Sequence, residues 1–388
     1  MNLRRTLEAL YRAALAGVDP EPCTAAALTD PVVARPIASA HRVGVFAAGK
    51  AAAGMARAVL AELGPVPLLA VLPRGQRPGR RLPGGSIRFA SHPEPDASST
   101  RAAREAIRFF RGFGPGDVVV CLISGGASSL VALPRPGLTL AAKRAAVRRL
   151  AASGTPIEEV NRLRTSPSAV KGGRLGRETR AALVTLMISD VAGDDPRVVG
   201  SGPTIRGRRG DVVRVVASNR DGLEAAGSAA LSMGLVPGIV PRPIAGDARA
   251  AGIRLARRAL ELPPGGVLLA GGETTVPLRG RAARGGRCLE LALAAAGPLR
   301  GAADVMLLAA GSDGVDGSSG AAGAFVGGDT LRRAADRGLE SGGDLRHADA
   351  RRLFHGLGDL FIPGPTGTNV ADWVFAVRAP AERNISRG

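Results

Sequence analysis

With 388 residues and a hydrophobic content of 45%, the chain is long enough for two globular domains, each with its own core. No apolar run approaches the roughly 20 residues of a membrane helix, which excludes an integral helical membrane protein. A formal charge of +19 and a pI near 11.5 raise nucleic-acid binding, but the basic residues are dispersed and aromatic content is only 3%, so stacking platforms are scarce and this class is set aside.

The opening stretch, residues 1–18, is interrupted by Arg12 and lacks the apolar core of a signal peptide; it reads as an amphipathic helix, and a cytoplasmic protein is expected. Cys23, Cys121 and Cys288 are far apart and lack metal-ligand spacing; Cys121 and Cys288 are read as packing residues. Nearly every basic residue is Arg, and Lys occurs only at Lys50, Lys143 and Lys171. A lysine kept in such a background points to a role for a compact ammonium, a phosphate contact above all.

His41 to Ala48 reads as a strand running into Gly49-Lys50 and a small-residue helix, the layout of an anion site at a helix N-terminus, though without Walker A spacing. Two further strands follow, PLLAVLP and SIRFAS, then a loop from Ser91 to Asp96 and a helix from about Ser99 to Phe113, with Ser98 or Ser99 as its cap. His92, in this loop before Pro93, reads as a structural hydrogen-bonder or a base. Asp117 to Ile123 is a buried strand ending in Ser124-Gly125-Gly126 and Ser128, a backbone nest for an anion or a tight turn with capping serines. After a helix from Leu140 to about Ser153 come Asn161, Arg164, Lys171 and Arg174.

Leu183 to Ser189 is a further buried strand that delivers Asp190 at its end, with Asp194 and Asp195 in the loop beyond. Three carboxylates there suit Mg²⁺ and a phosphorylated substrate, or they are a turn rich in Asp and Gly. The stretch VVRVVASNRDGLEAA gives a strand, Ser218-Asn219 and a helix. The proline-rich segment from Gly234 to Asp247 marks a boundary between a domain of residues 1–235 and one of 236–388, with helix 1–18 able to pack on the second. In the second half a strand from Gly266 to Ala270 ends in Gly271-Gly272-Glu273, Gly285-Gly286-Arg287 opens a helix, and Asp304 to Ala310 ends in a glycine loop carrying Asp313 and Asp316. The chain closes with Thr366-Gly367-Thr368-Asn369-Val370 and a strand from Trp373 to Val377. The fold class is α/β: two α/β domains with largely parallel, Rossmann-like sheets.

In order along nearly the whole chain, GKAAAGMA (Gly49 to Ala56), HPEPD, SGGASSL, SAVKGGRL, ISDVAGDDP with SGPT, GGETT, GGR, DGVDG and TGTNV resemble the motifs of the glycerate 2-kinase family, the MOFRL-type kinases. The resemblance implies an ATP- and Mg²⁺-dependent kinase making 2-phosphoglycerate from D-glycerate, with the active site in a cleft between two α/β domains. It implies Lys50, Asp190 and Arg287 as catalytic; Gly49, Ser124, Gly125, Gly126, Ser128, Arg164, Lys171, Asp194, Glu273, Thr368 and Asn369 as binding residues; and Asp190, Asp313 and Asp316 as metal ligands. The partners implied are a small hydroxy acid and ATP, with neither nucleic acid nor membrane, and a homodimer is left open. The chain departs from the family at Thr165-Ser166-Pro167, where Lys-His-Leu is usual, and at Cys288-Leu289, where Asn-Gln is usual. Lost hydrogen-bond donors there point to an altered acceptor. Two alternatives stay open: the same scaffold redirected to another hydroxy acid, and a non-catalytic anion-binding descendant.

Overall fold

Two six-stranded sheets organise the molecule, and a computed structural model describes residues 1–76, 82–141, 145, 167–276, 285–339 and 349–381. The chain folds into two compact units that are interleaved in sequence. One unit holds Asp19–Ser218 together with Gly367–Val370; the other holds Met1–Val18, Asn219–Thr366 and the chain from Ala371 onward.

After helix α1 (Leu3–Gly17), the unit that starts at Asp19 runs α2 (Pro20–Leu28), α3 (Pro31–Ala38), β1 (Val43–Ala48), α4 (Ala52–Leu63), β2 (Leu68–Pro73), β3 (Gly85–Ala90), α5 (Ala97–Arg111), β4 (Val118–Ser124), α6 (Ala127–Leu130), β5 (Ala182–Ile188) and β6 (Val212–Ala217). The strands lie in the order β3-β2-β1-β4-β5-β6, all parallel. A parallel strand with helices on both faces has no wet side, which is why β4 reads VVVCLIS with every residue buried. The core on one side joins Phe46 of β1 to Phe110 of α5, edge to face at 5.2 Å. The cap of α5 is Asp96, whose carboxylate accepts from the Ser98 N–H, while the Ser99 hydroxyl accepts from the Asp96 N–H. The serines expected as caps therefore form only half of a capping box.

This strand order reverses direction between β1 and β4. The crevice beyond the carboxyl ends of strands at such a switch point is where open α/β sheets bind ligands. Gly49-Lys50 and Ser124-Gly125-Gly126 leave those two strands.

The other unit carries β7 (Val236–Ile239), β8 (Gly266–Gly272), β9 (Val305–Gly311), β10 (Gly323–Gly327), β11 (Leu360–Phe361) and β12 (Asp372–Arg378), in the order β11-β10-β9-β12-β8-β7. This sheet is mixed. β7 and β8 are parallel, but β12 inserts antiparallel between β8 and β9, and β10 and β11 continue antiparallel. Its core packs the helices Ala248–Leu260 and Arg287–Leu299 on the sheet.

The division between units falls at Ser218/Asn219, upstream of the proline-rich segment expected to separate 1–235 from 236–388. The helix Asn219–Ser232 packs on β7 and β8, and Val236 donates its N–H to Gly265 O at 3.0 Å, so both belong to the second sheet. Pro237 is tolerated there because β7 is an edge strand. Helix α1 belongs to the same unit. It buries Leu7, Leu10, Tyr11 and Ala14, a stripe at helical spacing, and Tyr11 donates its hydroxyl to Gly311 O at 2.7 Å.

Candidate active site

The sequence VGVFAAGK explains the first feature of the site. A six-residue strand, buried from Gly44 onward, is followed by Gly49 at φ 130°, and a Cβ there would come within 2.1 Å of the Ser124 hydroxyl. Glycine lets the β1 and β4 loops touch. They are then stitched together: Lys50 donates its N–H to Gly125 O at 2.9 Å, and the Ser124 hydroxyl accepts from the Ala51 N–H at 3.0 Å. The Lys50 carbonyl accepts from the Gln76 amide at 2.7 Å, which fixes the peptide from the other side. Gly126, at φ 90°, lies against the His92 ring and the Lys50 side chain; a methyl group there would sit 3.1 Å from His92 Cδ2 and 3.6 Å from Lys50 Cγ.

Next in the sheet, β5 ends at Ile188 and delivers Asp190, half-buried, two residues later. The Asn369 amide donates to Asp190 Oδ2 at 2.9 Å. Both groups crowd Gly125: an added Cβ would come within 2.2 Å of Asn369 Nδ2 and of Asp190 Oδ2. Gly49, Lys50, Ser124, Gly125, Gly126, Asp190, Asn369 and His92 are thus brought together at one end of one sheet. A carboxylate oriented by an amide beside a lysine and a glycine pair can hold a hydroxyl or a hard cation and can neutralise an anion.

A second group lies on the same unit. Lys171 is 4% exposed, and its ammonium donates to the Ser128 hydroxyl, which also accepts from the Ser201 hydroxyl at 3.0 Å. The backbone holds both segments, with Gly172 N–H on Ser201 O at 2.9 Å and Gly173 N–H on Gly202 O at 2.7 Å. Ser201 was not singled out in the sequence; the signal available was its place in SGPT.

The loop after β5 uses its other acids differently. Asp194 is half-buried at φ 53°. Asp195 forms a two-pronged ion pair with Arg197, whose hydrogen bonds hold its carboxyl below the usual range, so it staples the loop. Arg164, with Thr165 and Ser166, lies outside the described residues, and the Pro167 carbonyl accepts from Arg135 N–H at 3.1 Å.

In the unit that contains β12, Arg287 opens a helix and is gripped by Asp372 through Nε and Nη2, the latter at 3.0 Å to Oδ1; Nη1 reaches Glu273. Burial alone would lower the Arg287 pKa, but the bonds to Asp372 and the charges of Asp372 and Glu273 raise it above its usual value. Asp372 is the residue that sequence reasoning missed. It is 4% exposed, its carbonyl accepts from the Asn219 amide at 3.1 Å, and in the sequence it is only an acid in front of Trp-Val-Phe.

Asp316, expected as a metal ligand, caps that same helix. It is 3% exposed and accepts from the Cys288 N–H at 3.2 Å and the Leu289 N–H at 2.9 Å. A Cβ on Gly286 would overlap its carboxylate. Burial pushes the Asp316 carboxyl up to about 7, against the lowering effect of those two N–H groups. Asp313 accepts from Val315 N–H at 3.0 Å in a local turn, and Thr368 is buried. Among the described residues no group of three His, Cys, Asp or Glu side chains is arranged to hold a metal. Cys288 and Leu289, expected to alter acceptor recognition, both point into the core, and Cys121 is buried too. A helical first turn packed on a sheet turns these side chains inward, with the Cys288 thiol beside the Asp372 carboxylate that grips Arg287.

No helix among the described residues is long and apolar enough to cross a membrane. Comparison with known proteins gives consistent matches along the chain. Residues 6–226 match a domain of unknown function, DUF4147, and residues 266–372 match the MOFRL family. The chain is 39% identical over 419 residues to an Agrobacterium vitis protein provisionally named hydroxypyruvate reductase, covering 96% of this chain and 94% of that one. It is 32% identical to the glycerate 2-kinase of Pyrococcus horikoshii, with 87% of each chain covered. The crystal structure of a glycerate kinase from Thermotoga maritima superposes with a TM-score of 0.83 at 30% identity, covering 97% of this chain and 99% of that one.

Proposed function

Because the chain belongs to the glycerate 2-kinase family, we propose that it transfers the γ-phosphoryl group of ATP to the 2-hydroxyl of D-glycerate with Mg²⁺. The observation that carries this reading is the Asp190 carboxylate, held by Asn369 beside Gly49-Lys50 and Ser124-Gly125-Gly126 at the switch point. Phosphoryl transfer asks for positioning and charge neutralisation more than for covalent chemistry. The acceptor oxygen forms its bond to phosphorus as the bond to the bridging oxygen of ADP breaks, and the hydroxyl proton leaves toward a carboxylate or water.

In this reading Asp190 orients that hydroxyl or holds the cation, and Lys50 is the cation for the phosphoryl oxygens. Mg²⁺ keeps most of its waters and takes one or two protein carboxylates alongside phosphate oxygens, so a single half-buried Asp190 suits it without a three-acid cage. Asp190 would hold the ion, which when bound would supply charge neutralisation for the phosphoryl group. Arg287, braced by Asp372, is assigned in its own unit to a carboxylate or phosphate.

A second reading, reduction of hydroxypyruvate, is favoured by the name of the Agrobacterium relative and by a strand order that also suits dinucleotides. The first β-α turn weighs against it. Ala51 stands where the dinucleotide fingerprint has its middle glycine, and its N–H is already taken by Ser124. One experiment separates the two. Purified protein with ATP, Mg²⁺ and D-glycerate is assayed for ADP, and with NADH or NADPH and hydroxypyruvate for loss of the reduced cofactor. ADP release without nicotinamide oxidation is expected, and the reverse result would replace the kinase with a reductase.

A further inference from the structure

Three consecutive residues, Gly200, Ser201 and Gly202, hold left-handed backbone at φ 57°, 64° and 51°. The two glycines leave no room for a larger residue: a Cβ on Gly200 would come within 2.9 Å of Ile123 Cγ2, and one on Gly202 within 2.7 Å of the Arg197 carbonyl oxygen. Ser201 alone of the three carries a side chain, and at φ 64° that side chain is a steric burden that glycine would not impose. The backbone does not need it. Ser201 donates its N–H to Val198 O at 2.8 Å and accepts at its carbonyl from Gly172 N–H at 2.9 Å, bonds that any residue could make. What the side chain adds is the bond between its hydroxyl and that of Ser128, at 3.0 Å.

The hydrogens of this serine pair do not balance. Two hydroxyls bring two hydrogens; one lies between the two oxygens, and the Lys171 ammonium, which can only donate to Ser128 Oγ, takes up none. Among the described residues no acceptor receives the second hydrogen, and both serines are half-buried, so a ligand can reach it. A hydroxyl that accepts from an ammonium is polarised by it and donates best to a charged oxygen. We infer that Ser201 is a positioning residue: by filling the second acceptor site of Ser128 it turns the Ser128 O–H outward, onto a phosphoryl or carboxylate oxygen of the ligand. This rests on the reading of Ser128 and Lys171 as anion-binding residues, and it adds the residue that aims the hydrogen.

The test is calorimetric titration of the full chain with ATP and Mg²⁺, with D-glycerate and with inorganic phosphate, each separately, alongside thermal unfolding. Ser201→Gly removes the hydroxyl in a residue that suits the left-handed backbone, whereas Ser201→Ala removes it and keeps the strained Cβ, so the glycine variant should melt at or above the alanine variant. Both should bind at least one probe about tenfold or more weakly than the wild type, the scale of a hydrogen bond to a charged group. Loss with ATP or phosphate identifies a phosphoryl oxygen, and loss confined to D-glycerate a carboxylate. Ser228→Ala, which removes a hydroxyl bonded to Glu224 O of its own helix at 3.0 Å, should change nothing. Wild-type affinity for all three probes in Ser201→Gly, an equal loss in Ser228→Ala, a glycine variant that melts below the alanine variant, or no binding of any probe by the wild type each overturns the inference. Weaker binding in the variants with no ADP formed by the wild type would leave Ser201 in this role and remove the kinase assignment; ADP formation with unchanged binding in the variants would do the opposite.

Discussion

The amide of Asn369 donates to Oδ2 of Asp190 at 2.9 Å, across 179 positions of sequence, and both groups press on Gly125. The amide sets the direction in which the carboxylate faces. Gly125→Ala would put a Cβ into this contact and push the pair apart. We expect kcat/KM with ATP and D-glycerate to drop about 100-fold, the scale of a misplacement near the reacting atoms. Retention of wild-type kcat/KM would show that the pair is not positioned for chemistry.

Asp190→Asn keeps the size of the side chain and removes its charge. Turnover should fall by orders of magnitude, and half-saturation by Mg²⁺ should move to higher concentration, since a hard cation requires the carboxylate. A Mg²⁺ titration identical to wild type would detach Asp190 from the metal.

Lys50→Ala leaves the backbone bonds of residue 50 in place, because they use its N–H and carbonyl. The fold should survive, as judged by an unchanged thermal midpoint, while kcat/KM falls well over tenfold. A loss below tenfold, about 1.4 kcal/mol, would mean that the ammonium is not a transition-state contact.

Ser128→Ala removes from the buried Lys171 ammonium the hydroxyl that also links it to Ser201. A loss of about 1–3 kcal/mol in unfolding free energy is expected from urea titration. An unchanged midpoint would show that water or a neighbouring group replaces the hydroxyl at no cost.

The Asp316 carboxyl, facing Asp372, Arg287 and the Cys288 thiol, titrates at about 7 in the folded chain and, unfolded, near the ordinary value of about 3.9. The unfolded chain therefore gives up this proton first. The contribution to stability is fully present below about pH 4 and is lost as pH rises through about 7. Asp316→Asn cannot ionise and can still accept one N–H, so the difference in denaturation midpoint between variant and wild type should change steadily across this window. A constant difference from pH 4 to 8 would show that Asp316 is ionised throughout.

Local pattern made the first site legible. An apolar run ending in Gly-Lys, another ending in Ser-Gly-Gly and a third ending near Asp190 are strand-to-loop transitions that a parallel sheet must bring to one edge, so Lys50, Gly125 and Asp190 could be grouped before any fold was seen. What escaped were contacts made at long range. Asp372 meets Arg287 over 85 positions, and nothing near either residue announces the other. Asp316 reads as a metal ligand because an acid in a glycine loop has the right composition; only the three-dimensional placement shows its oxygens on the N–H groups of another element. The position of β12 between β8 and β9 was equally silent, since a buried strand carries the same apolar run whichever way it points. The proline-rich segment misled for a related reason: prolines that mark a linker also mark an edge strand such as β7.

The assignment of α1 to the unit that begins again at Asn219 has a consequence for synthesis. Its buried stripe, Leu7, Leu10, Tyr11 and Ala14, packs on the helix Asn219–Ser232 and on β12. A ribosome adds about 5–20 residues per second, so roughly 200 residues of chain, and on the order of 10–40 s, separate the emergence of α1 from that of its first partner. Throughout that interval the nascent chain carries an apolar helix whose own unit has not yet been made, while the β1 to β6 sheet is already complete in sequence. An element made before the β1 to β6 sheet is thus among the last to find its place.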